Sequence, residues 1–216
     1  MTRTLQARQP RSTHALFGTG PAPSTTRDKL IESALDLFYT HGFHAVGLDQ
    51  VLADVGISKQ AFYKHFPSKD DLAVEAIKLR DQRESEAFLR AVQKHAGPAA
   101  GVRRTLLAMF DALDEWFTAP DYHGCLFLTA CFEFPSPTDP LHRAAGDHYA
   151  AAEAMIRELA DSAGADDPGE LASELVQLLQ GAFTRRVVAG DNLAAQRARR
   201  LAELVLQSAI EPNEHP

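Results

Sequence analysis

Between Gly47 and Asp71 the chain reads GLDQVLADVGISKQAFYKHFPSKDD. Its punctuation spells two short helices around a tight turn and the start of a third. Leu48, Val51, Leu52 and Val55 recur at helical spacing and give the first helix one apolar face. Gly56 follows directly, and a glycine just past a helix end can take the left-handed conformation that closes it. Ser58 is a good N-cap for the next helix, because its hydroxyl accepts an orphan backbone N–H. In that second helix Ala61, Phe62 and Phe66 face inward, while Lys59, Gln60, Tyr63 and Lys64 fall on the opposite face. Pro67 ends it, and Ser68 with Asp71 three residues on makes a capping box for another helix.

An earlier segment gives this pair something to pack on. Thr25 with Asp28 is a second capping-box start. Leu30, Ile31, Ala34, Leu35, Leu37 and Phe38 then form a wide apolar stripe before His41-Gly42 stops the helix. Three short helices with facing stripes bury a small core and hold the third outward, as a helix-turn-helix does. A helix presented this way fits the DNA major groove, where base edges carry a distinguishable donor and acceptor pattern. The formal net charge of -7 argues against non-specific adhesion of the whole molecule to nucleic acid, and leaves room for a local positive face.

The quoted elements also carry a resemblance. Thr26-Arg27-Asp28-Lys29-Leu30-Ile31, Ala34, Leu37-Phe38, Gly42-Phe43, Val55-Gly56-Ile57-Ser58, Phe62-Tyr63-Lys64-His65-Phe66 and Ser68-Lys69-Asp70-Asp71-Leu72 closely resemble, in order and spacing, the TetR family of bacterial regulators. The resemblance implies that Tyr63, His65 and Lys69 touch backbone phosphates. It places Lys59, Gln60 and Lys64 near base edges or adjacent phosphates, and Thr26 near the backbone at the first helix N-terminus. The chemistry is consistent, since phosphate contacts fix register while Lys can address guanine and Gln adenine. The chain departs from the family at Val46-Gly47-Leu48-Asp49, where Ser or Thr is usual. Gly47 offers a phosphate no hydroxyl, so a backbone N–H is the contact left there. Gly124-Cys125-Leu126-Phe127 and Glu133-Phe134-Pro135 look like a segment common in one subgroup, with no specific chemistry attached.

No segment alternates as a strand would, so an all-α fold of about nine helices is expected. Residues 1–24 hold Arg3, Arg8 and Arg11 with no acid and several Pro and Gly, which suggests a flexible basic arm that adds salt-dependent DNA affinity, or a dispensable tail. Residues 25–72 form the helix-turn-helix domain, 73–211 a helical ligand-binding and dimerisation domain, and 212–216 a tail. A long fourth helix runs from Ser68 to about His95. Further helices span about Ala99–Thr118, Gly124–Phe134, Leu141–Ala163, Pro168–Ala189 and Asp191–Ile210, with Pro and Gly between them.

The last two carry apolar stripes: Leu171, Leu175, Leu178, Leu179, Ala182 and Phe183 on one, Leu193, Leu201, Leu204, Val205 and Ile210 on the other. They could pair with their copies as a four-helix bundle, placing two recognition helices on half-sites of a near-palindrome, or serve only the monomer core. Phe110, Leu113, Trp116, Phe117, Leu128, Phe132 and Phe183 are candidates to line an effector pocket, with Glu133, His148 and Arg186 as its polar groups. An apolar or amphipathic small molecule is the effector expected.

Cys125 and Cys131 stand six residues apart, on different faces of one expected helix, so they read as buried small hydrophobes rather than a disulfide. No metal-ligand pattern, P-loop, GxGxxG, GxSxG or HExxH is present, and neither an enzyme nor a cofactor is expected. No stretch is long and apolar enough to span a membrane and no signal peptide begins the chain, which makes the cytoplasm the default location. The expected function is a sequence-specific DNA-binding regulator, a repressor released from its operator by a ligand. The alternative is a small-molecule-binding protein whose helix-turn-helix is only structural.

Overall fold

The computed structural model describes residues 23–210; the expected basic arm falls almost entirely, and the tail at 212–216 entirely, outside them. The described residues form nine helices and no strand: α1 (Thr26–His41), α2 (Leu48–Val55), α3 (Lys59–Phe62), α4 (Lys69–Ala96), α5 (Val102–Phe117), α6 (Leu126–Glu133), α7 (Pro140–Ser162), α8 (Pro168–Ala189) and α9 (Ala194–Ile210).

The caps read from sequence hold. Thr25 and Asp28 close a reciprocal capping box on α1, and Ser58 and Ser68 accept the N–H of Ala61 and Asp71. Gly56 ends α2 at φ +76°, in the left-handed conformation. Three boundaries differ from expectation. Helix α3 stops at Phe62 rather than running to Phe66. Its continuation is a tighter turn in which Lys64 and His65 donate to Ala61 and Phe62, because Pro67 biases the residue before it away from helix. Helix α5 begins at Val102, after a turn in which Ala99 takes φ +57°. Helix α9 begins at Ala194, the Asp191 carboxylate having first accepted Leu193 N–H.

Helix α4 organises the rest. It packs on α1 at its N-terminal end and on α5 and α7 farther along, while α8 lies between α7 and α9 and α9 returns to α5. Buried apolar side chains from all nine helices join in one continuous core. Inside it sits an ion pair. Arg80 is 1% exposed, its Nε donating to Glu84 Oε2 at 2.6 Å one helical turn on. Its guanidinium lies 4.4 Å over the Tyr39 ring of α1 and 5.7 Å from that of Trp116 on α5. Nearer the surface, Arg27 pairs with Glu75 at 2.5 Å and Arg83 grips the Glu32 carboxylate with two nitrogens, so α1 is tied to α4 at three levels.

Removing one member of a buried pair strands the other charge, at a cost of about 3–5 kcal/mol. Arg80→Ala is therefore expected to lower the unfolding free energy by about that much, read by denaturant titration, and Arg80→Met with Glu84→Leu together by much less.

Candidate nucleic-acid interface and effector cavity

The face that α3 turns outward is built by burying its other side. Phe62 and Phe66 are sealed in the core and stacked 5.9 Å apart, and Arg27 lies 5.0 Å over the Phe66 ring. Lys59, Gln60, Tyr63, Lys64 and His65 are left in solvent, with Tyr63 52% exposed although aromatic. An aromatic held out beside two lysines and an amide gives cations for phosphates, a planar hydrogen-bonding group for a base edge and a phenol for either. Thr26 is half-buried as the first residue of α1.

Two sequence expectations change. Lys69 does not project as a free cation: its Nζ donates to Phe43 O at 2.8 Å and Val46 O at 3.0 Å, inside the concave side of the α1–α2 turn. Its charge satisfies carbonyls that the turn leaves without helical partners. The N–H of Gly47 is likewise taken, donating to Gln50 Oε1 at 3.1 Å.

The same turn is gripped from the far end of the sequence. The Glu133 carboxylate at the end of α6 accepts Phe43 N–H at 3.1 Å and His44 N–H at 2.6 Å, and lies 2.8 Å from His44 Nδ1. Glu133 is thus not a pocket group. The subgroup-like Glu133-Phe134 pair was its only mark in the sequence, and a contact spanning about ninety positions has no periodic signal.

A cavity of about 260 Å³ lies among α4, α5, α7 and α8. Of the expected lining, Leu113, Trp116, Phe183 and the polar His148 are there. Phe110 and Phe117 are buried in the core away from it, Leu128 packs against that core, and Phe132 is 79% exposed, on the side of α6 that meets no neighbour. Arg186 is absent too: it donates to Phe117 O and lies over Tyr122, fastening α8 to the end of α5. Sequence reading missed Phe88 and Leu89 on α4, Met155 and Ile156 on α7, and Met109, Val176 and Leu179. Their spacing signals a helix face, but not which side chains leave space unfilled. Glu84, Ser85, Gln180, His148 and Tyr149 bring polar groups to the wall. His148 is held at 2.6 Å by Asp81, whose carboxyl it keeps below the usual carboxylate range, and its ring lies flat on Phe127 at 3.7 Å.

Cys125 is buried as the N-cap of α6, 3.1 Å from Tyr149 Oη, and burial pushes its thiol up to about 11; Cys131 is half-buried and free. Among the described residues no helix is long and apolar enough to cross a membrane, and no cluster of possible metal ligands occurs.

Comparison with known proteins agrees with this geometry. Residues 30–76 match the model of bacterial regulatory proteins of the tetR family, and residues 101–202 the tetracycline repressor-like C-terminal domain. The HTH-type transcriptional regulator YjdC of Escherichia coli is 28% identical over 183 residues, covering 85% of this chain and 94% of its own. A TetR-family transcriptional regulator from Streptomyces coelicolor superposes with a TM-score of 0.77 at 26% identity, over 91% of this chain and all of the other. A TetR transcriptional regulator from Chloroflexus aurantiacus, at 19% identity, shares the fold with a TM-score of 0.73 over 86% of this chain and 96% of the other. The protein belongs to the TetR family and is a helix-turn-helix DNA-binding transcriptional regulator.

The two kinds of lysine separate in experiment. Lys64→Ala is expected to lower the slope of log affinity against log salt by about 1. Lys69→Ala is expected to leave that slope nearly unchanged and to lower stability by about 1–3 kcal/mol, because two buried carbonyls lose their donor. In native protein at pH 8 iodoacetamide should leave Cys125 unlabelled, while unfolding exposes both thiols to it, as mass spectrometry of the peptides will read.

Proposed function

We propose that the protein is a ligand-responsive repressor that binds a near-palindromic operator as a homodimer and releases it when a small apolar or amphipathic molecule occupies the α4–α5–α7–α8 cavity. The observation that carries the reading is the pairing of an outward polar face on α3 with a separate apolar cavity whose wall includes the helix that holds α1. Residues 25–72 contact DNA and residues 73–211 bind the effector and the second subunit, with the cytoplasm as the place of action and no catalytic step assigned.

On the DNA side, Gln60 and Lys59 read base edges, Lys64 and Tyr63 take base edges or phosphates, and His65 and Thr26 contact the backbone. The cavity's size is at the small end of ligand sites, and its polar groups lie on α4, α7 and α8, so it suits a compact apolar body with one or two hydrogen-bonding atoms. Glu84 brings no net charge to it, being balanced by Arg80.

For the dimer, the stripe read on α8 divides. Leu171, Leu175, Ala182 and Phe183 serve the monomer core. The outward line of α8 is instead Gln177, Gly181, Thr184 and Val188, and that of α9 includes Leu201 and Leu204, the last 64% exposed, with exposed Leu193 just before the helix. Gly181 and Thr184 on one helix beside Leu201 and Leu204 on the next let two copies approach closely as a four-helix bundle. A twofold axis there sets the spacing of the two α3 helices, and an effector favouring another spacing lowers operator affinity.

Selection of bound sequences from random DNA at near-physiological salt should enrich a near-palindrome with half-sites about one helical turn or a multiple apart. Leu204→Glu should yield a monomer in sedimentation and lose that enrichment; an enriched single half-site with wild-type protein would overturn the dimeric reading.

A further inference from the structure

We propose that Glu133 is a positioning residue for DNA binding: it fixes the α1–α2 turn to the end of α6, and through α6 the cavity acts on that turn. The proposal rests on the effector-responsive reading above and adds the residue that carries the effect.

One carboxylate engages two consecutive backbone N–H groups, of Phe43 and His44, and the His44 imidazole as well. Charge-assisted hydrogen bonds of this kind are the stronger ones. The fit is tight. Gly42 has φ +84°, and a Cβ on it would stand 2.5 Å from Glu133 Oε1, so the chain keeps a glycine where the carboxylate enters. Phe134 completes the socket, stacked on His44 at 4.7 Å and edge-on to Phe43 at 5.8 Å, while His142 of α7 holds Phe134 O at 2.8 Å. Lys69 secures the opposite side of the turn through Phe43 O and Val46 O. The turn leads straight into α2 and α3, so its attitude sets that of the recognition face.

The other end of α6 touches the cavity wall. Phe127 lies under His148 with the two rings 6° from parallel, and His148 lines the cavity. Cys125, the cap of α6, meets Tyr149, which also lines it. Helix α6 has only eight residues, so roughly 12 Å separates its two ends. An occupant that displaces His148 or Tyr149 therefore moves Phe127 and, at the far end, the carboxylate that holds the turn.

The test uses full-length protein and the operator obtained by selection. Glu133→Gln and, approaching the same contact from the other side, Gly42→Ala should each speed amide exchange at Phe43 and His44 by about tenfold or more. Both should weaken operator binding about tenfold, the variants remaining folded by circular dichroism. The cavity is filled without any ligand by Ala152→Phe, a lining position on α7. That substitution should weaken operator binding in the wild-type background and add nothing in Glu133→Gln. Unchanged affinity in both clamp variants despite faster exchange would overturn the positioning role. Equal losses from Ala152→Phe in the two backgrounds would overturn the α6 route. No effect of Ala152→Phe in either background would overturn effector control itself, while the Glu133→Gln loss would still uphold the clamp.

Discussion

A guanidinium sealed from water at Arg80 constrains everything around it. An unpaired buried charge is far more costly than any single apolar contact is favourable, so the chain must deliver Glu84, Tyr39 and Trp116 to fixed places around it. Apolar surfaces can slide against one another with little loss. A charge held by the Glu84 carboxylate and by the Tyr39 and Trp116 ring faces cannot, and it ties α1, α4 and α5 together. The outer pairs Arg27–Glu75 and Arg83–Glu32 are partly solvated and add less, but they repeat the same alignment along α4. The consequence for function is that α1, the base on which α2 and α3 are packed, rides on α4 as one body.

The recognition face has no independent stability. Helix α3 is a single turn, far shorter than an isolated helix needs in water, so its form comes from the Ser58 cap and from Phe62 and Phe66 in the core. Helix α2 is held in turn by Ser33, buried in α1, whose hydroxyl donates to Asp54 at 2.5 Å. Exposure of Tyr63, Lys59 and Lys64 is then a by-product of where the two phenylalanines must go, and in this acidic molecule no Asp or Glu occurs from Val55 to Lys69.

What the sequence displayed was local. The caps at Thr25, Ser58 and Ser68, the left-handed Gly56, and the sorting of α3 into Phe and Lys faces depend on neighbours within four residues, and all are present in the fold. What it hid was tertiary. Lys69 sits where a phosphate-binding lysine of the resembled family would, and only the folded turn shows two carbonyls waiting for it. Phe132 has the composition of a pocket residue, but α6 turns it to solvent. The cavity itself is an absence of packing among four helices, and no residue announces in sequence that its neighbour across the core is too small. Arg80 and Glu84 stand one helical turn apart, a spacing that surface pairs share, and only the packing of α1 and α5 over them makes them a core feature.

Two physical links run from the cavity to α1, and they differ in kind. At α4, Glu84 and, from α5, Trp116 line the cavity and also contact Arg80, whose guanidinium lies over the Tyr39 ring of α1. Along α6, His148 and Phe127 lead to Glu133 and to the turn that follows α1. The first link grips the last turn of α1 through Tyr39, and the second grips the turn that leaves it through Phe43 and His44. A displacement of both by the same amount carries the helix-turn-helix as a unit and, in the proposed dimer, changes only the separation of the two copies. A displacement of one alone tilts α2 and α3 against α1, changing the fit of each α3 in its own groove. Differential motion of α4 and α6 is therefore the quantity through which a small occupant can reduce affinity most, since sliding a rigid unit preserves every local contact and tilting it does not.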